Sequence, residues 1–475
     1  MATRSAWRRA AAAAAAFAAL PGALAVAARP AHANGRFPAV SSLAPDAADP
    51  PFLLVGATFG LVLTTDGEAT WGWVCEQAMG YLGTFDPIFV RTHVGAGALL
   101  ASTFDGVSRS ADGGCNWDAA AGLAGHLVRG LAEHPGAPGT IYATTGYAAP
   151  PDVDALFVST DDGATFSATA LQSGAMYYDG VAASALDPLR LYVGSWYPMP
   201  REAFVHRSDD GGASWTSTAY PVADPQILRL VAVAPDDPDV VLWVIEGTGD
   251  ILFRSDDGGL TGAPVLALPA PFAGLTVAGD GTMYAAAALS QMFQSLDDGL
   301  TWEPLGPAAP PSLCVAAGAG RLFACSDPFS AGGASIMSST DDGVTWTADY
   351  ALSDTTGPLA CPAGADATLI CGPLWPQVAV ELGAGGGAGT DAGSGGPGDS
   401  GVIVVGRDGG PGGGGGGACH CSLLGARGDA GRDRFGAAWP AAASPALLLA
   451  FARYAARNAA ARRRRRERAG GPPRT

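Results

Sequence analysis

The sequence predicts an all-β protein, a seven-bladed β-propeller, and three observations carry that prediction. A short turn of the form Ser-x-Asp-x-Gly-x-Thr-Trp recurs seven times, beginning at Thr64, Ser110, Ser159, Ser208, Ser255, Ser295 and Ser339. The copies lie roughly 40–50 residues apart, the period of a four-stranded propeller blade. Each follows a short β-type run, such as Leu156-Phe157-Val158-Ser159 or Ile251-Leu252-Phe253-Arg254-Ser255, and must reverse the chain after a strand.

The residue types suit a fastener between the third and fourth strands of a blade. A turn aspartate accepts hydrogen bonds from nearby backbone N–H groups. Glycine supplies the positive φ that a tight reversal needs. The aromatic residue lies back over the hairpin as an apolar lid. The aspartates are Asp66, Asp112, Asp161, Asp210, Asp257, Asp297 and Asp341, and the lids are Trp71, Trp117, Phe166, Trp215, Trp302 and Trp346. Two copies depart from the pattern: Glu68 stands where Gly is expected, and Gly262 where Trp is expected. These turns resemble the Asp-box (BNR) repeats found on sialidases, some endoglucanases, sortilin-like receptors and photosystem assembly factors. The resemblance covers residues 36–350 and implies a propeller whose turn aspartates are structural and lie away from the active face.

In chain order, Arg4, Arg8 and Arg9 precede an apolar run from Ala10 to Ala28, and Ala31-His32-Ala33 offers a small-x-small cleavage site. This reads as a secretory signal over 1–33. The propeller follows over 34–382. Blade one is expected as strands near Ala39–Leu43, Phe52–Ala57, Gly60–Thr64 and Trp71–Glu76. Asp49-Pro50 makes its first turn, as Asp187-Pro188 and Asp237-Pro238 do later, and His134-Pro135 holds the same place in blade three. His134 is thereby a turn residue. His93, His126 and His206 fall in different blades without metal-ligand spacing. Six further blades follow. The stretch from Pro358 to Leu382 is read as a closing cap or an incomplete eighth blade.

The chain contains no lysine. Between Asn34 and Leu382 there are 38 acidic residues against 10 arginines, a net charge near −28. Nucleic acid is an unsuitable partner for such a surface. No phosphate loop, His-Glu-x-x-His or Gly-x-Ser-x-Gly motif is present, and no cofactor or metal is expected.

The cysteines of the exported region are expected as disulfides. Cys314 and Cys325 flank a Gly-rich turn and should face each other across a hairpin. Cys361 and Cys371 flank a similar turn, and Cys75 with Cys115 would staple blades one and two.

Residues 383–418 form a Gly-rich linker without a core of its own. Residues 419–475 hold Cys419-His420-Cys421, an apolar stretch Phe435–Ala452 and the Arg462–Arg466 run. This combination resembles a MYXO-CTERM-type sorting tail, which implies processing near Cys421 and display at the cell surface. Any membrane contact is expected through this tail alone.

For function, the sequence gives no catalytic constellation. Arginine is too sparse in the body for a sialidase-like carboxylate clamp, and Arg36-Phe37-Pro38 is a faint echo of a sialidase start. Asp86, Asp105, Asp179 and Glu246 are carboxylates that could face a cleft, but no pair is selected by spacing. The expectation is an exported propeller that binds a glycan or protein without catalysis. A glycoside hydrolase, sialidase-like or endoglucanase-like, is the alternative. The binding patch is placed on aromatic loops of blades three and four, at Tyr147, Tyr177, Tyr178, Trp196, Tyr197 and Arg201, because such residues give large contact area with a polar handle.

Overall fold

The computed structural model describes residues 38–46, 52–81, 85–147, 152–247, 249–329 and 331–384. The expected signal segment, almost all of the linker and the whole tail lie outside these residues, as do Asp49, Pro50, Pro150 and Pro151.

Seven antiparallel sheets follow one another along the chain, each built from four consecutive strands. They occupy residues 40–74, 89–119, 127–173, 177–220, 227–267, 272–304 and 312–350. The protein is therefore a seven-bladed propeller, as its turns predict. The inner strands are Val40–Pro45, Phe89–Arg91, Leu127–Glu133, Tyr177–Ala183, Ile227–Ala234, Phe272–Val277 and Ser312–Gly318. The second strands carry the most deeply buried runs, such as Leu53–Ala57 and Leu99–Thr103. Both faces of these strands are covered by neighbouring blades, so they read as continuous rather than alternating apolar sequence.

The recurring turn forms one hydrogen-bonded unit. In the last copy Ser339 Oγ donates to Asp341 Oδ1 at 2.8 Å and accepts from Gly343 N at 2.9 Å. Asp341 also accepts from Thr345 N at 2.8 Å and Thr345 Oγ1 at 2.6 Å. The Trp346 indole N–H donates to Gly343 O at 3.0 Å, which fixes the lid. Trp117, Trp215 and Trp302 repeat that bond at 3.0 Å. The Thr345 hydroxyl, then its backbone N–H, hold the Asp341 carboxyl down at about 2.

Side chains of one blade then reach the turn of the next. Arg109 Nε donates to Asp162 O at 2.8 Å, and Arg254 Nε to Asp298 O at 2.6 Å. Tyr192 Oη donates to Pro238 O at 2.7 Å. Arg321 of blade seven pairs with Glu68 of blade one and so joins the last blade to the first.

The segment after blade seven is a cap, and no eighth blade forms within it. Thr355–Pro358 adds a fifth strand, parallel, to the outer edge of blade one. A π-helical turn at Ala367–Cys371 and the helix Trp375–Leu382 follow. The Trp375 ring lies 5.8 Å from that of Trp73. This return path corrects two expected disulfides. Cys75 bonds Cys371 and Cys115 bonds Cys361, in place of 75–115 and 361–371. Cys361 and Cys371 are not on paired strands, and the cap carries each to a different blade. Cys314 and Cys325 are joined, and they are direct partners across a hairpin.

Candidate active site

The connections between second and third strands, and those between blades, open on the face opposite the repeated turns. Here the inner strands of blades three, four and five come unusually close. A Cβ on Gly180 would lie 2.1 Å from Leu230 O, and one on Gly130 would lie 3.2 Å from Gly180 Cα. Gly180 also has a φ of +80°, which only glycine adopts without strain. Both strands bulge at these points, between the pairs Gly130–Thr144 and Val128–Thr145, and between Tyr178–Ser195 and Val181–Val193. Bulges re-aim side chains. The residue before each glycine is charged: Arg129 before Gly130, and Asp179 before Gly180.

The close approach assembles a charged cluster at the mouth of the ring. Arg129 donates to Asp179 through Nε at 3.1 Å and through Nη2. Arg229 Nε lies 3.3 Å from Asp179 Oδ1, and Arg229 Nη2 donates to Glu246 Oε2 at 3.2 Å. One guanidinium thus ties Asp179 of blade four to Glu246 of blade five. Asp179 is 1% exposed and is spent on the two arginines. Glu246 is partly exposed, and its Oε1 has no hydrogen-bond partner among the described residues. Burial, with the nearby Asp179 and Asp250 carboxylates, pushes the Glu246 carboxyl up to about 7, against the pull of Arg229 and Arg129. Asp250 holds the adjoining backbone by accepting from Gly247 N at 2.9 Å and Phe272 N at 2.7 Å.

Beside this cluster stands an aromatic shelf. Tyr147 stacks on Tyr177 with centroids 4.1 Å apart, and Tyr177 meets Trp196 edge-on at 4.7 Å. The Arg201 guanidinium lies over the Trp196 ring at 4.6 Å and donates to Asp224 at 2.7 Å. The Arg129 guanidinium is 5.7 Å from the Tyr147 ring, so shelf and charged cluster are continuous.

Four of the six expected patch residues therefore converge: Tyr147, Tyr177, Trp196 and Arg201. Tyr178 does not belong to it. It is 1% exposed within the core of blades three and four, because alternate residues of a strand face opposite sides. Tyr197 follows Trp196 in the strand and so points away from the shelf. Trp196 itself is 5% exposed and packs on Leu228, Leu230 and Ile245, so it is as much core as surface. Of the four expected carboxylates, Asp179 and Glu246 meet. Asp105 lies on a loop of blade two, where it accepts from Gly125 N, and Asp86 lies on the connection between blades one and two. Arg129, Arg229 and Asp250 were missed. The signal that could have found Arg129 is the charged residue before glycine in an inner strand, which it shares with Asp179; Arg229 and Asp250 carry no such mark.

Other polar clusters have structural explanations. His206 bonds Ser195 and Ser217 at 2.7 Å each, but Ser195 is fully buried and burial pushes the histidine down to about 4. His134 Nδ1 accepts from Gly136 N at 2.9 Å, the turn role assigned to it. On the turn face a cleft of about 600 Å³ is lined by Asp46, Arg91, His93 and Glu133, and these pair among themselves.

A seven-bladed propeller with a protonatable glutamate beside an aromatic shelf is thus the class of molecule that fold and site define. No protein-family model matches the chain. Two curated relatives do, both xyloglucanases. The one from Hypocrea jecorina (strain QM6a) is 26% identical over 245 residues, 48% of this chain and 26% of that protein. The one from a Paenibacillus species is 30% identical over 167 residues, 31% of this chain and 15% of that protein. The chain thus matches about a quarter or less of the length of these relatives. Among solved structures, the GH74 xyloglucanase from Xanthomonas campestris has a TM-score of 0.33 at 16% identity, covering 67% of this chain and 65% of that one. YCF48 from Cyanidioschyzon merolae has a TM-score of 0.39 at 16% identity, covering 60% and 92%. Likenesses this distant carry nothing about chemistry. The curated relatives do bear on it: both are enzymes, and that overturns the expectation of a non-catalytic binding module.

Proposed function

We propose that this protein is a glycoside hydrolase that cleaves an extracellular polysaccharide laid across the mouth of the ring, with Glu246 as its general acid. The observation that carries this is a carboxyl raised to about 7, beside a shelf of Tyr147, Tyr177 and Trp196. A carboxyl at that value is about half protonated in neutral water, where an ordinary carboxyl is almost wholly ionised, and can deliver its proton to the leaving glycosidic oxygen. Aromatic faces stack on sugar rings and hold the chain across the acid. The relationship to two xyloglucanases supports the reaction class.

Hydrolysis also needs a second carboxylate that reaches water or the anomeric carbon. Asp179 is too covered for this and acts through Arg229 on the position of Glu246. Asp105 and Asp152 are exposed on the same face and supply the candidates. The Asp-box type of turn and the exported, surface-displayed state remain part of this reading. The recurring Ser-Asp-Gly-Thr hydrogen bonds support the former. The three disulfides, the segment 1–33 and the tail 419–475 support the latter.

The test is release of reducing ends from a panel of neutral and acidic polysaccharides by the purified protein. Glu246→Gln should lower turnover by about 10²-fold or more, with an unchanged far-ultraviolet circular dichroism spectrum. Equal turnover by Glu246→Gln and wild type would refute the assignment.

A further inference from the structure

The site contains more hydrogen-bond donors than it can satisfy. Trp196 Nε1, Arg201 Nε and Arg201 Nη1 are buried and have no hydrogen-bond partner among the described residues. They belong to one contact, since the guanidinium lies 4.6 Å from the indole ring. Buried donors left unpaired are uncommon and costly. The remaining nitrogen, Nη2, bonds Asp224, whose side chain is 78% exposed, and a surface pair of that kind is readily exchanged.

This arrangement departs from the rest of the molecule. The arginines on the turn face, Arg91, Arg109, Arg190, Arg207, Arg254 and Arg321, each pair with an acidic side chain through a network that crosses blades or holds a turn. At the active face Arg129 and Arg229 are committed to Asp179 and Glu246. Arg201 alone in this set stands at the outer end of the aromatic shelf with two nitrogens idle. In a body with a net charge near −28, a cation there is not explained by the general surface. What three adjacent donors and a fixed positive charge lack is an anionic group with several acceptor oxygens. A carboxylate fits, because a hydrogen bond between ionised partners is about twice as strong as one between neutral groups.

We propose that Arg201, with the Trp196 indole N–H, binds a sugar carboxylate, so that the polysaccharide taken by this site carries uronosyl residues. This rests on the reading of the mouth as a glycan-cleaving site. The chain would run from Arg201 along Trp196, Tyr177 and Tyr147 to Arg129 and Glu246. A carboxylated sugar would lie over Arg201, and the scissile bond would lie at Glu246.

The test is affinity electrophoresis of the full-length protein through gels containing polygalacturonate, alginate, xyloglucan or a sulfated galactan. A carboxyl-reduced polygalacturonate with the same backbone is the control. Wild type should be retarded at least tenfold more strongly by a carboxylated polymer than by xyloglucan or the carboxyl-reduced polymer. Arg201→Met keeps the stem over Trp196 and removes the donors. It should lose about tenfold in affinity for the carboxylated polymer, with an unchanged melting temperature. Three results would each overturn the proposal: equal retardation by the carboxyl-reduced polymer, preference for the sulfated one, or full affinity in a folded Arg201→Met variant. Absence of retardation by every carboxylated polymer would also overturn it. The hydrolase reading is judged separately, by reducing ends released from whichever polymer is bound. Tight carboxylate-dependent binding without release would end that reading and leave the ligand assignment standing.

Discussion

Arg321 of the seventh blade forms an ion pair with Glu68 of the first. Glu68 occupies the one copy of the recurring turn in which the glycine is replaced, and it adopts a φ of 71°, a conformation that side chains resist. The departure from the repeat thus coincides with the seam of the ring. Arg321 is further held by Ser338 Oγ at 2.6 Å and Asp349 Oδ2 at 2.7 Å. The strained turn is compensated by a contact that bridges the two ends of the propeller.

Two substitutions separate these effects. Glu68→Ala keeps the strained backbone and loses the pair, so it should destabilise by about 0.5–1 kcal/mol. Glu68→Gly loses the pair and relieves the strain, so it should cost less. Chemical denaturation of both variants checks this, and a glycine variant less stable than the alanine variant would contradict it.

The turn aspartates set an acid limit. Asp66, Asp161, Asp210 and Asp341 all sit at about 2, below the usual carboxylate range, through hydrogen bonds from the Thr or Ser four residues on and their backbone N–H groups. A group depressed in the folded state stabilises above its unfolded value near 4 and loses that contribution as pH falls toward 2. The melting temperature should therefore drop between pH 4 and pH 2. Asp341→Asn should show a shallower drop. An identical pH profile would remove this turn as a contributor.

Glu246 gives the opposite sign. Its folded value is raised, so activity that needs the protonated acid should decline as pH rises through about 7. Removing Asp179 as Asp179→Asn takes away a neighbouring negative charge and should move that limb to lower pH. A kcat/KM profile of both proteins measures it. An alkaline limb that stays in place would show that Asp179 does not act on the acid.

Tyr147 and Trp196 should differ although they share the shelf. Tyr147 is 52% exposed, whereas Trp196 is 5% exposed. Tyr147→Ala should weaken polysaccharide binding by about tenfold with little change in melting temperature, as for an exposed stacking residue. Trp196→Ala should also cost about 3–5 kcal/mol of stability, because it opens a cavity against Leu228 and Leu230. Binding and thermal unfolding of each variant decide it.

The blades were legible because their signal is local. The hydrogen bonds that build each turn lie within a few residues, from Ser339 to Trp346 in the last copy, so the residue pattern and the structure say the same thing. The cap was not legible. Thr355–Pro358 pairs with a strand some 285 residues earlier, and the partners of Cys75 and Cys115 depend on that return. No local pattern encodes such a register. The candidate site falls between these cases. Its aromatics stood out as long loops, but its arginines and Glu246 are gathered from three blades by backbone approach at Gly130 and Gly180. Burial, which sets the Glu246 acidity, is a property of that assembly.

The order in which the strands are laid down has a further consequence for biogenesis. Each blade is complete before the next begins, so a chain emerging from the ribosome can finish its sheets one after another without waiting. Only blade seven, which docks beside the first blade, and the strap at 355–382, which pairs with its outer strand, must travel back. The strap is among the last parts of the propeller to appear, and its pairing is locked by disulfides spanning 296 and 246 residues. Closure of both bonds is thereby tied to completion of the whole ring, and a chain truncated before the strap would leave Cys75 and Cys115 without their partners.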